Sequence, residues 1–368
     1  MVCKPLCRRA CHYCDFHFTT NLKNQQVLVD AILLEIELRK AYLEEEKIST
    51  IYFGGGTPSL LHSAQIETIL NSIKKHYSLN SNLELTLEAN PEDLSKEKLI
   101  ELKKLGVNRL SLGTQSFIDS ELKWMNRMHS AKEAETAIKT AQEIGFNNIS
   151  IDLIFGLPNQ TEDDWTFNLE KAISLKIQHI SSYGLTIEEK TVLERNIRKG
   201  IQNPPKEEMA EKFLLMNMDF LPSSGFEHYE TSNYAKQGFI SQHNSNYWKG
   251  EKYLGLGPSA HSFNGSSREW NVRSNAQYIS ALSNEKPFST QEKLSTTDQL
   301  NEAIMTGLRT KWGAQKSEME KIKTGSWLEL IEAAKTISSG NLIIEDDEVR
   351  LTKQGVLLTD KITSELFF

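Results

Sequence analysis

The stretch Thr50-Ile51-Tyr52-Phe53-Gly54-Gly55-Gly56-Thr57-Pro58-Ser59 runs an apolar, aromatic segment straight into glycine. A strand that ends this way leaves bare backbone at its C-terminal end, where a ligand can come close because glycine carries no Cβ. A plain tight turn is the other reading. The stretch lacks the lysine of a P-loop and the spacing of a dinucleotide fingerprint, so its meaning depends on whether the same arrangement recurs.

It does recur. Gln25 to about Glu45 has the composition of a long helix before this strand, and Ile66, Ile69, Leu70 and Ile73 have amphipathic spacing after it. Leu83–Leu87 then reads as a strand ending at Glu88-Ala89-Asn90-Pro91, followed by a helix from about Ser95 that stops at Gly106. Arg109–Leu112 ends in Gly113-Thr114-Gln115-Ser116-Phe117, and helix Ala131–Ile144 stops at Gly145. Ile149–Ile154 leads to Gly156-Leu157-Pro158 and helix Thr161–Leu175, and His179–Tyr183 ends in Gly184-Leu185-Thr186-Ile187-Glu188. Mostly apolar strands alternating with helices predict a parallel sheet covered by helices. The polar and glycine-rich residues fall after the strands, where barrels and open α/β folds place ligands. With one further strand at the N-terminus the pattern gives an α/β fold, an incomplete, TIM-like (β/α)6 barrel.

Upstream lies Cys7-Arg8-Arg9-Ala10-Cys11-His12-Tyr13-Cys14, and the chain's 4 cysteines are confined to positions 3, 7, 11 and 14. Thiolates select zinc or iron–sulfur clusters. Cysteines at 7, 11 and 14 cannot by themselves complete a tetrahedral zinc site or give every iron of a cubane a thiolate. The spacing points to a cluster with one iron open. In a reducing compartment such a group reads as metal ligands or redox groups rather than disulfides.

The 368 residues exceed one average domain, and a net charge of −7 gives no footprint for non-specific nucleic-acid binding. No apolar run is long enough to span a bilayer, and the N-terminus lacks the apolar core of a signal peptide, so a cytoplasmic location is expected. Beyond about Gly200 the repeat ends. Helix Lys206–Leu221 leads into a region of Tyr, Trp, His, Asn and Gly between Phe226 and Trp270 that reads as short strands and loops. Helices resume from Ser295, and Asn341–Leu351 carries a hairpin signature around an acidic turn, together resembling a small winged-helix module. The expected division is residues 1–200 for the barrel, 201–290 for an α+β accessory region and 291–368 for the winged-helix-like domain.

Glu88, Gln115 and Asp152 stand at or just past the ends of successive strands. Each could be an ordinary loop residue. Together on one rim beside a metal-ligand loop they favour a polar organic ligand with hydroxyl and ammonium groups.

Cys7xxxCys11xxCys14, with Tyr13 before the last cysteine, resembles the cluster loop of the radical S-adenosylmethionine (SAM) superfamily, and Gly54–Pro58 is similar to its glycine-rich motif. Within it, the strings CHYCDFH, YFGGGTPSLL, LEANP, GVNRLSLGTQSF, DLIFGLPNQT, YGLTIE, HYETSNYA and QHNSNYW resemble the HemW haem-chaperone family, a relative of oxygen-independent coproporphyrinogen III oxidase. The resemblance implies a 4Fe-4S cluster on Cys7, Cys11 and Cys14, with SAM on the open iron. It implies that Gly55, Gly56 and Thr57 line the methionine part, that Tyr13 lies beside the cofactor, and that Glu88, Gln115, Arg127 and Asp152 supply the remaining contacts to carboxylate and ribose. The family's first strand normally carries a tyrosine and a histidine where this chain has Met1 and Cys3. Cys3 is a potential fourth thiolate, a role the family pattern does not support.

Gln242-His243-Asn244-Ser245-Asn246-Tyr247-Trp248 resembles the HNxxYW signature linked to haem in that family, which makes His243 a candidate axial ligand, with His261 as a second. From sequence alone, a histidine among aromatics is more often a satisfied structural residue than a ligand. The implied function is haem binding and transfer to an acceptor protein, which the resemblance allows to be membrane-bound. The alternatives are oxidative decarboxylation of coproporphyrinogen III, or radical SAM chemistry on another substrate. The oxidase pattern CxxxCxxCxC requires a further cysteine where this chain has Phe16.

Overall fold

The computed structural model describes residues 1–44, 46–337 and 340–368. In chain order it begins with β1 (Val2–Lys4), α1 (Gln25–Leu38), β2 (Ile48–Gly55), α2 (Ser63–His76), β3 (Leu79–Ala89) and α3 (Lys96–Lys104). It continues with β4 (Arg109–Gln115), α4 (Asp119–Trp124), α5 (Ala131–Ile144), β5 (Ile149–Phe155), α6 (Glu162–Ser174), β6 (His179–Gly184) and α7 (Val192–Arg198). β1 to β6 form a parallel run in sequence order, and β1 provides the expected extra strand through pairings Val2–Phe53 to Lys4–Gly55. Local signals place the helices. Ser130 and Thr161 open α5 and α6 with capping boxes closed by Glu133 and Asp164, and Gly145 ends α5 at φ +96°.

Alternate strand residues face opposite ways. Ile51, Phe53, Leu85, Leu87, Leu110, Leu112, Ile149, Ile151 and Ile180 pack outward with Ile66, Ile69, Leu99, Ile138 and Leu169 of the helices in one continuous core. The intervening positions, Thr50, Tyr52, Glu88, Arg109, Ser111, Ser150, Asp152, His179 and Ser181, are polar and interact with one another in the lumen. The strands therefore read as apolar on one face only.

Helix α1 is shorter than expected. It ends at Leu38 with Arg39 as its C-cap, at φ −100° and ψ 15°, and the Arg39 side chain pairs with Glu35 at 3.2 Å and Glu269 at 3.0 Å. Residues 41–44 form turns, and the expected terminus Glu45 lies outside the described residues.

After β6 the sheet changes direction. α8 (Glu207–Ser223) leads to β7 (Glu227–Glu230) and β8 (Asn233–Ala235), and the sheet order becomes β1-β2-β3-β4-β5-β6-β8-β7, with the last two strands antiparallel. The barrel thus stays open, with β1 and β7 at its edges. α9 (Gln242–Trp248) carries the HNxxYW segment as a helix, where short strands and loops were expected. β9 (His261–Phe263), β10 (Ser267–Asn271), α10 (Asn275–Ser283) and β11 (Ser289–Lys293) form a small antiparallel layer. Buried Glu35 fastens it to α1 by accepting from Gly257 N at 2.7 Å, from Asn271 Nδ2 at 2.8 Å and from the Tyr278 hydroxyl.

The chain ends with α11 (Thr296–Leu308), β12 (Ala314–Gln315), α12 (Lys316–Ile322), α13 (Ser326–Ala334), β13 (Leu342–Ile344), β14 (Glu348–Leu351), α14 (Lys353–Val356) and α15 (Thr359–Glu365). Leu300, Ile304, Trp327, Leu330, Val349 and Ile362 give this part a core of its own. The anticipated hairpin is present, extended by β12 to a sheet of order β12-β14-β13. Among the described residues no helix is long and apolar enough to cross a membrane.

Candidate functional site

The cysteine loop leaves β1 and lies over the C-terminal ends of the parallel strands. Backbone bonds fasten it there: Cys7 N to Thr19 O at 3.0 Å, His12 N to Met125 O at 3.2 Å and Leu193 N to His12 O at 2.8 Å. Asn126 Nδ2 holds Ala10 O at 2.7 Å. Tyr13 packs with Leu122, Met125, Ile154 and Leu157, a small apolar cluster under the loop. Cys7, Cys11 and Cys14 are half-buried, while Phe16 is 71% exposed.

Burial pushes the Cys7 thiol upward and that of Cys14 up to about 12, and the neighbouring cysteines add to the shift. A thiol must lose its proton to ligate, so occupation by a cationic centre has to offset this. Among the described residues no cluster of His, Cys, Asp or Glu is drawn together tightly enough for a single metal ion. A cubane spreads its thiolates wider than one ion does.

Two of these sulfurs accept hydrogen bonds. Thr57 Oγ1 donates to Cys7 Sγ and Arg127 Nη1 to Cys11 Sγ, each at 3.4 Å. Arg127 Nη2 donates to Asn90 Oδ1 at 2.6 Å and to Gly113 O at 2.7 Å. Its buried Nε has no partner. A guanidinium N–H left open at a rim is a donor awaiting an acceptor, and a carboxylate matches it.

The glycine run of β2 has a structural reason of its own. Gly55 lies at φ +102°, and a Cβ there would meet Cys3 Sγ at 2.7 Å; at Gly56 one would meet Leu6 N and O, each at 2.7 Å. Bare backbone at both positions lets β1 and the cysteine loop close onto β2. Lys4 Nζ, buried in the same seam, donates to Thr57 O at 3.2 Å.

The other rim residues converge as well. Gln115, at the end of β4, adopts φ +64°, and beside Gly113 the side chains of Gln115, Arg127 and Asn90 meet. Glu88 accepts from the Tyr52 hydroxyl at 2.7 Å. Burial raises the Glu88 carboxyl to about 7; the Tyr52 bond opposes that rise, and the nearby Asp152 adds to it. Burial likewise lifts Asp152 to about 6, against hydrogen bonds from Ser181 and Ser111 and the cations Arg109 and Arg127. Two lumen carboxyls poised near neutrality can accept from an ammonium group and from hydroxyls.

Two sequence candidates lie elsewhere. Cys3 is in β1, 8% exposed and packed against Gly55; burial and Glu88 raise its thiol to about 12. It is part of the lumen wall, not of the cysteine loop. His243 closes the opposite, N-terminal end of the barrel and is 6% exposed. Its Nδ1 pairs with Thr50 Oγ1 at 2.8 Å, its Nε2 with the Tyr247 hydroxyl at 3.1 Å, and its ring stacks on Tyr52 at 4.6 Å and 13°. Burial holds its pKa well below the usual histidine range. Both ring nitrogens are engaged in this structure, so ligation by His243 requires Thr50 or Tyr247 to let go. His261, on β9 near Trp270, is exposed.

Sequence reasoning missed Asn90, Asn126 and Arg109. Asn90 precedes Pro91 directly after Glu88, a position held extended at φ −86° and ψ 146°. Arg109 is 1% exposed inside the lumen. The polar–apolar alternation Arg109-Leu110-Ser111-Leu112 was the available signal for it.

Comparison with known proteins agrees with this geometry. Residues 1–171 match the Radical SAM superfamily and residues 294–358 the HemN C-terminal domain. "Heme chaperone HemW" of Bacillus subtilis is 37% identical over 97% of this chain and 96% of its own length. The protein of the same name from Lactococcus lactis is 34% identical over 97% and 94%, respectively. Among solved structures, the coproporphyrinogen III oxidase (HemN) of Escherichia coli superposes with a TM-score of 0.86 at 22% identity, covering 100% of this chain and 89% of that one, a likeness of fold. On its full-length correspondence with these relatives, the chain belongs to the HemW family of the radical SAM superfamily.

Proposed function

We propose that the protein is a haem chaperone, carrying a 4Fe-4S cluster and SAM at the C-terminal mouth of its barrel and passing haem to an acceptor protein. The observation that carries the proposal is the end-to-end correspondence with relatives named as heme chaperones, 37% identical across 97% of this chain. The mouth is chemically suited to the cofactors, with three soft donors on one loop and the unpartnered Arg127 Nε beside them. In this proposal Cys7, Cys11 and Cys14 hold the cluster. Gly55, Gly56 and Thr57 line the methionine part of SAM, and Tyr13 shields the loop from below. Glu88 accepts from the SAM ammonium, Arg127 Nε meets its carboxylate, and Gln115 and Asp152 take the ribose hydroxyls. When bound, cluster and SAM supply one-electron chemistry, and the protein supplies binding, orientation and exclusion of water.

Haem is placed on the accessory layer, with the exposed His261 as the imidazole that requires no rearrangement; His243 would ligate only after exchanging an internal partner. The acceptor is a protein, free or held at a membrane, and a cytoplasmic location suits a loop of reduced cysteines. The absence of a cysteine at Phe16 speaks against the oxidase, whose pattern carries one there.

Anaerobic reconstitution tests the proposal directly. One haem per chain should bind alongside iron and sulfide, with no decarboxylation of coproporphyrinogen III in the presence of SAM and a reductant. Protoporphyrinogen formation would overturn it. His261→Ala should shift the haem absorption spectrum, and an unchanged spectrum and affinity remove His261 as the ligand.

A further inference from the structure

Asn90 lies between the hydrogen-bond donors of two cysteine sulfurs. Its Nδ2 donates to Thr57 Oγ1 at 3.4 Å, and Thr57 Oγ1 donates to Cys7 Sγ at 3.4 Å. On its other side Oδ1 accepts from Arg127 Nη2 at 2.6 Å, while Nη1 of the same guanidinium donates to Cys11 Sγ at 3.4 Å. A continuous path therefore runs Cys7–Thr57–Asn90–Arg127–Cys11. An amide suits its centre, since its separate nitrogen and oxygen donate to a hydroxyl already donating to sulfur and accept from a guanidinium that has no acceptor of its own.

The path is held from outside as well. Gly113 O accepts from Arg127 Nη2 at 2.7 Å, fixing the guanidinium from below, and Pro91 keeps Asn90 extended. Cys14 stands apart from this path, which touches only the sulfurs of Cys7 and Cys11.

We infer that Asn90 is a positioning residue that couples Thr57 and Arg127 into one relay, and that the relay raises the reduction potential of the cluster on this loop. The inference rests on the cluster assignment made above. Hydrogen bonds to ligand sulfurs withdraw electron density from a cluster and favour its reduced form. Bonds linked in a chain also polarise one another, so loss of the central amide weakens both ends together.

The full-length chain, reconstituted anaerobically, is assayed first for iron and sulfide and then by redox titration followed by electron paramagnetic resonance. A wild-type chain that takes up no cluster overturns the cluster assignment, and the relay with it. With the cluster in place, Asn90→Ala should retain the wild-type iron and sulfide content and show a more negative midpoint potential. Thr57→Val should shift it in the same direction, and the double variant by less than the sum, because both act on one path. An unshifted potential in Asn90→Ala, or strictly additive shifts, overturns the relay while leaving the cluster assignment standing. Should Asn90→Ala lose iron, Asn90→Ser carries the same measurement, since its shorter side chain stays polar but cannot span both Thr57 and Arg127. A smaller negative shift supports the relay, and a wild-type potential overturns it.

Discussion

At the C-terminal mouth, Arg127 Nε and Thr114 Oγ1 are buried without partners, and Gln115 sits at φ +64°. At the N-terminal end, His243 has both nitrogens engaged and its ring stacked. Glu84 there accepts from the backbone N–H groups of Gln242 and His243, each at 3.0 Å, at the positive end of α9. Both ends are rich in polar and aromatic residues. They differ at the two named side chains: both nitrogens of His243 are engaged, whereas Arg127 Nε at the mouth is open, as is the buried Nε of Arg109 at the start of β4. Unmet hydrogen-bonding capacity at a rim marks a ligand site, and a closed polar network marks a stopper.

The sharpest way to break this contrast is at the cysteine loop. Cys11→Ala should abolish stable cluster uptake, a larger effect than the ~10–100-fold typical of losing an outer partner of a ligand. Folding measured by circular dichroism should be unchanged; wild-type iron and sulfide in that variant would mean the mouth is not the metal site.

His243→Ala probes the other end. Removing a stacked ring and two internal hydrogen bonds should cost ~2–4 kcal/mol of stability in denaturant titrations, with cluster content intact. Loss of the cluster at undiminished stability would show that the N-terminal end is no mere stopper.

Arg127→Ala should weaken SAM binding by ~1.5–3 kcal/mol, about 10–100-fold in Kd, measured by calorimetry on the cluster-loaded protein. Equal affinity in the two proteins would remove Arg127 as the carboxylate partner.

A pH dependence is expected as well. The Glu88 carboxyl is raised from 4.5 to about 7, so its contribution to stability is present below pH 4.5 and is lost as pH rises through about 7. Binding of an ammonium group requires the carboxylate, so SAM affinity should rise between pH 5.5 and 7.5, by at most about tenfold per unit. Glu88→Gln should flatten that rise; a slope surviving in the variant would assign it to another group.

Much of this molecule was legible in its sequence because the signals are local. Ser130 with Glu133 and Thr161 with Asp164 fix helix starts, and Gly145 fixes an end, whatever surrounds them. The C-terminal end of α1 was not legible, since the residues after Leu38 keep an apolar and charged helical composition while Arg39 leaves helical geometry at φ −100° and ψ 15°. Set by tertiary neighbours is the close approach at Gly55 and Gly56, where a Cβ would meet Cys3 and Leu6 of this chain.

From the sequence alone came the repeated strand–helix unit, the vacancy implied by cysteines at 7, 11 and 14, and the strand-end positions of Glu88 and Gln115, because periodicity and ligand count are properties of the chain itself; Asp152 lies in the middle of β5. Only the tertiary structure decided which polar residues remain open. It enclosed His243 between Thr50, Tyr247 and Tyr52, placed Cys3 in the lumen wall, and brought Asn90 between Thr57 and Arg127. A side chain's hydrogen-bond balance is set by neighbours distant in sequence.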